Sequence, residues 1–134
     1  MKKRIVILML AAVLLLGSFA CGKKALPEEG MYLIGVTLEG GTGKASIQTP
    51  AQLTVFQDGK ATLLVIWSSD KYDYMLVNGE RYLPTISDGH SMFAIPVETL
   101  DQPLEVTADT TAMSTPHEIA YTITFDTASL KPAS

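Results

Sequence analysis

Cysteine is almost missing from this chain: Cys21 is the one thiol in 134 residues. That excludes an intrachain disulfide and any metal site built from several thiolates. Aromatic residues make up 7% and tryptophan occurs once, so no dense aromatic platform is available. The longest apolar run, Ile5 to Leu16, falls short of the roughly 20 residues a spanning helix needs. Apolar residues nowhere recur with a sustained helical period. Enzyme signatures are absent as well. There is no Gly-x-Ser-x-Gly elbow, no phosphate-cradling glycine loop leading into a helix, and no His-Glu-x-x-His. Gly40, Gly41 and Gly43 lack the Lys-Ser/Thr pair of a phosphate loop. Asp70 and Asp73 lack the alternating donors and distal glutamate of a calcium loop. The expectation is a binding protein, not an enzyme.

What is present begins at the N-terminus. Lys2, Lys3 and Arg4 precede the apolar run, small residues follow it, and Cys21 comes next, the layout of a secretory signal. The segment resembles the lipobox of bacterial lipoproteins, in which the cysteine is diacylated and becomes the first mature residue. Ala20 suits that pattern, whereas Ser18 stands where leucine is usual and Phe19 is bulky for its place. The resemblance implies a signal peptide over 1–20, a lipidated tether over 21–30 and one domain over 31–130. It places the protein on the extracellular face of a cell membrane, held by its lipid. Two acyl chains suffice for stable anchoring. Removing residues 1–20 leaves 114 and takes away three basic and no acidic residues, so the net charge moves from −4 to −7. Such an acidic domain is a poor partner for nucleic acid or anionic lipid surfaces.

From Met31 the chain is written in strands. Tyr32, Ile34, Val36 and Leu38 alternate, and Gly40, Gly41 and Gly43 end the run. Leu53 and Val55 lead to Asp58-Gly59, a hairpin dipeptide that tolerates positive φ. Ala61 to Trp67 is nearly all apolar, as in a central strand covered on both faces. Tyr72 to Val77 meets a second hairpin signal, Asn78-Gly79, and Glu80 to Leu83 returns. Ser91 to Ile95 is stopped by Pro96. Leu104 and Val106 form another piece. Last, Ile119, Tyr121, Ile123 and Phe125 share one face. Short strands with turn signals every 8–12 residues or so predict an all-β, immunoglobulin-like antiparallel sandwich of seven or eight strands.

The run from Pro50 to Val77 resembles the NEAT (near iron transporter) domains of Gram-positive haem uptake proteins. Pro50-Ala51, Leu53 and Val55, Asp58-Gly59-Lys60, Trp67-Ser68-Ser69 and Tyr72 carry the likeness. The segment from Pro116 to Asp126 is similar to that family's last hairpin strand. There, a Tyr-x-x-x-Tyr motif supplies the iron ligand and a tyrosine that hydrogen-bonds to it. The matching positions here are His117 and Tyr121, so histidine replaces the first tyrosine. Gly43 to Thr49 is the stretch available for the family's haem-lip helix, and it holds Ser46 but no aromatic. Thr110 to His117 also resembles a small domain that accompanies iron-transport binding proteins. These likenesses imply capture of haem or an iron-containing ligand and delivery to an ABC-type importer.

Read on their own, His117 and Tyr121 lie four apart on a strand and so share one face. At the rim, a neutral imidazole can ligate iron while the phenol orients it. The alternative is a rim histidine bonded to a nearby loop and a plain core tyrosine. Met113 precedes His117 by four, and His90-Ser91-Met92 gives a second His/Met pair. Thioether with imidazole suits Cu(I), so His90, Met92, Met113 and His117 define an alternative copper site. A structural module binding protein or glycan without metal chemistry is the third reading. Met31 and Met75, inside strand patterns, read as core fillers. Trp67 reads as core, and Tyr72, Tyr74 and Tyr82 read as cross-strand pairs around Asn78-Gly79.

Overall fold

Period-two alternation governs the molecule. The computed structural model describes residues 26–112 and 117–133, and all regular structure within them is strand. The strands are β1 (Gly30–Gly40), β2 (Ala51–Val55), β3 (Ala61–Ile66), β4 (Tyr72–Val77), β5 (Glu80–Tyr82), β6 (Thr85–Ser87), β7 (His90–Val97), β8 (Leu104–Thr110) and β9 (His117–Pro132). They run in the order β5-β4-β8-β9-β1-β2-β3-β7-β6, every pairing antiparallel.

The switch between the two layers lies in β1. Its first half, Gly30 to Ile34, pairs with β2, and Tyr32, Leu33 and then Gly35 to Gly40 pair with β9. The register breaks between Leu33 and Gly35. There the Gly35 amide donates to Ser129 Oγ at 2.7 Å, and that hydroxyl donates to the Asp126 carbonyl. The extra residues of this irregularity lie on β9, between Asp126 and Lys131, while β1 runs on from its pairing with β2 to its pairing with β9 alone. Between the layers, Ile34, Leu53, Leu63, Trp67, Met75, Phe93, Ile95 and Ile123 are fully enclosed.

Several elements depart from the sequence reading. Ala61, Leu63 and Val65 are buried, but Thr62, Leu64 and Ile66 are half-exposed, so β3 has one covered face and not two. Met75 is core, whereas Met31 is 52% exposed, because it shares the outward parity of β1 with Leu33. Pro96 does not stop β7, which continues to Val97 with Pro96 opposite Thr62. β6 pairs only as far as Met92, so β7 is an edge at Pro96 and its missing N–H costs no ladder bond on that side. An additional hairpin, β6 to β7, turns at Asp88 and Gly89, both with positive φ. The tyrosines around Asn78-Gly79 do not pair with one another. Tyr82 lies opposite Met75, Tyr74 opposite Asp109, and Tyr72 opposite Thr110.

Candidate functional site

The rim where β1 and β8 end and β4 and β9 begin holds the candidate site. Three local features assemble it. The first is the irregularity in β4 between Tyr72 and Tyr74. Simple alternation would put Tyr72 on the face opposite Met75 and Val77, and the extra residue brings all three to the core side. The second is Trp67, which follows β3. Its ring stacks on Tyr72 with centroids 4.1 Å apart and tilts against Tyr121 at 5.2 Å. The third is the glycine pair ending β1. A Cβ on Gly40 would stand 2.5 Å from the Ala120 carbonyl, and one on Gly41 would stand 3.2 Å from the Tyr121 hydroxyl. Only glycines let this loop lie so close over Tyr121.

The result is a cavity of about 300 Å³. Thr42, Lys44 and Ala45 form one wall, and Ser68 and Ser69 form another. Thr110, Ala112 and Ile119 close it, and Tyr72 and Tyr121 reach its surface from the core. Ser91 holds the floor together. It is fully buried, its Oγ accepts from the Tyr72 amide at 3.2 Å, and its amide donates to the Ser69 carbonyl at 2.9 Å. Burial pushes the Tyr72 phenol up to about 12, helped by the adjacent Tyr121 phenol. Tyr72 therefore stays a proton donor across the physiological range.

The residues singled out from sequence are divided among several places. Tyr121 is 3% exposed and belongs to the cavity wall. His117 lies on the same side of β9, opposite Thr110, but is exposed and outside that wall. His90 and Met92 are half-buried on β7. His90 Nδ1 lies 2.7 Å from the Trp67 carbonyl oxygen and donates to it, which leaves Nε2 free. Ser46 faces His90 across a separate hollow of about 210 Å³. No helix forms between β1 and β2. Ile47 instead bridges to Trp67, and the Ser46 carbonyl accepts from the Ser68 amide. Met113 and Cys21 lie outside the described residues. Among the described residues, no group of three or more His, Cys, Asp or Glu is placed to hold a metal ion. Sequence reasoning missed Lys44 and the role of Tyr72. Tyr72 carried a signal only in its nearness to Trp67.

No family model matches the chain, and comparison with curated proteins finds no relative. Solved structures do match. The NEAT5 domain of IsdX2, a B. anthracis hemophore in complex with heme, aligns with a TM-score of 0.58 at 19% identity, over 80% of this chain and 99% of that one. A point variant of the IsdX2 NEAT5 domain, also in complex with heme, aligns with a TM-score of 0.57 at 18% identity, over 81% and 99%. The protein has a NEAT-like fold, an immunoglobulin-like antiparallel β-sandwich.

Proposed function

We propose that this protein is a lipid-anchored binding module that captures haem, or an iron-containing ligand, and passes it to an ABC-type import system. The observation that carries the reading is the rim cavity, where two phenols reach a wall that joins Ala45, Ala112 and Ile119 with small polar residues. Its size is at the lower end of small-molecule sites, which suits a flat ligand held by one edge. Lys44 at the wall supplies a cation for a ligand carboxylate, and Ser68 and Ser69 supply hydrogen-bond donors. The structural neighbours named above are heme complexes, which points the same way. The copper reading lacks comparable support, because His90 and Met92 lie away from the cavity and His90 is tied to the Trp67 carbonyl. Among the described residues, no surface feature singles out a glycan or a partner protein as the ligand of the cavity.

Haemin titration tests the reading directly. Trp67 is the sole tryptophan and sits beneath Tyr72 and Tyr121, so its emission reports on the cavity. The expected result is a Soret shift saturating at one equivalent, with parallel quenching of Trp67. A linear, non-saturating response would remove haem from the function.

A further inference from the structure

Charge is divided unevenly between the two outward faces of the sandwich. The outward positions of β2 and β3, which are Gln52, Thr54, Thr62, Leu64 and Ile66, carry none. On the layer built from β4, β8, β9 and the later part of β1, Glu39, Asp73, Glu105, Asp109 and Glu118 lie on the outward side. Arg81 is the one cation beside them, and its guanidinium sits over the Tyr74 ring. The one ion pair among the described residues, Lys71 with Asp70, lies in the loop before β4.

Such a face costs stability. Asp109 and Glu118 stand directly opposite each other on β8 and β9, and like charges in that register weaken a sheet. Asp109 is 3% exposed, and its Oδ2 accepts no hydrogen bond among the described residues. A buried carboxylate without a partner is expensive unless a cation compensates it. The carboxylates above it are held in place. The Tyr74 hydroxyl donates to Glu118, and the Thr122 hydroxyl donates to Glu105 at 2.9 Å. Thr122 also stands opposite Glu39. At about 3.3 Å per residue, the row of Glu39, Thr122 and Glu105 lies about 13 Å from the row of Glu118 and Asp109. A single metal ion reaches its ligands over only about 2.5 Å. No three acidic groups among the described residues are placed to hold one. The spacing matches several cations carried on one surface.

We propose that this face docks a protein partner that presents lysine and arginine side chains to it, with Asp109 adding its charge from beneath Asp73 and Glu118. The partner's role rests on the delivery reading, because Asp109 adjoins Thr110 in the cavity wall and a docked partner stands beside the cavity mouth. Unpaired carboxylates draw a basic surface in from a distance, and salt screens that attraction. An anionic lipid surface is repelled by the same charges.

Decalysine is the probe, labelled for fluorescence anisotropy and added to the full chain at pH 8 and low salt. Saturable binding that weakens as salt rises is expected. Carbodiimide labelling read by mass spectrometry should show Asp73, Glu105 and Glu118 protected in the complex. Glu105→Gln combined with Glu118→Gln should raise Kd about fivefold, since two exposed charge pairs are lost. Both amides still accept from the Thr122 and Tyr74 hydroxyls, and circular dichroism checks the fold. Glu28→Gln combined with Asp101→Asn removes the same charge at the Leu26 end and should change Kd less than about twofold. Equal losses in the two double variants would mean that net charge alone attracts the peptide, and they overturn the proposal. So do protection centred on Glu28 and Asp101, and the absence of binding at low salt. Calcium that displaces decalysine from the wild type at micromolar levels would make the face a metal site and overturns it as well. Haemin is absent throughout, so these failures leave the haem reading standing, and a failed haemin titration leaves the docking face standing.

Discussion

Asp109 is buried on β8 at 3% exposure, and its Oδ2 has no hydrogen-bond partner among the described residues. The groups around it come from three strands. Asp73 and Tyr74 face it from β4, Glu118 from β9, and Arg81 from β5 is the one cation. Arg81 sits over the Tyr74 ring, 4.0 Å from its centroid. The Tyr74 hydroxyl donates to Glu118, and that bond, ahead of burial, pushes the Tyr74 phenol up to about 12. Burial first, and then Asp73, raise the Asp109 carboxyl above the ordinary carboxylate range. The sign follows from linkage. A carboxyl that binds its proton more tightly folded than unfolded stabilises the fold fully below the unfolded value. That contribution is lost as pH rises through the raised folded value. Asp109→Asn mimics the protonated group, so its thermal midpoint should exceed that of the wild type at pH 7, with the gap closing as pH falls toward 4. A gap that stays constant over this range would show that Asp109 is not the titrating group.

At the scale of elements, the loop after β1 deserves the closest comparison with its sequence. Three glycines in four residues read there only as the end of a strand. Two of them have a tertiary reason. Gly40 has φ +130 and faces the Ala120 carbonyl, and Gly41 has φ +61 and lies against Tyr121. Gly43, at φ +87, has open space where its Cβ would be. Gly40→Ala should therefore cost about 1–3 kcal/mol for the steric clash, on top of backbone strain. Gly43→Ala should cost about 1–2 kcal/mol, from strain alone. Denaturant midpoints check the order, and equal losses would mean that the loop gives way easily. Gly40→Ala should also weaken haemin binding, since the loop carries Thr42 and Lys44 into the cavity wall. The same contrast explains what was legible. Alternation at Leu53 and Val55 and at Tyr121, Ile123 and Phe125 marks the core face because each strand there keeps one register. Tyr72 was unreadable because a bulge in its own strand reverses the parity. His117 was placed on the correct side of β9 but not in the cavity, because parity fixes a face and says nothing of where the opposite layer ends.

For the whole molecule, β1 relates the start of the domain to the site. It starts at Gly30, opposite Val55, and ends at Gly40, opposite Tyr121. Its 11 residues at about 3.3 Å each make a path of about 30 Å, allowing for the bend. The described chain therefore enters, at Leu26, at the end of the sandwich remote from the cavity. Around that entry, Leu26, Tyr32 and Leu130 pack against the core, so the first described residues are already tied to the domain. If Cys21 is acylated as proposed, the cavity faces away from the membrane, toward incoming ligand. Anchoring and binding then belong to opposite ends and should separate cleanly. Cys21→Ser should move the protein from the membrane fraction to the soluble one and abolish fatty-acid labelling. Its haemin titration should match the wild type, because the described chain begins at Leu26, at the end away from Tyr72 and Tyr121. Labelling that survives the substitution would rule out Cys21 as the acylated residue. A weakened titration in the soluble variant would mean instead that the membrane surface forms part of the site.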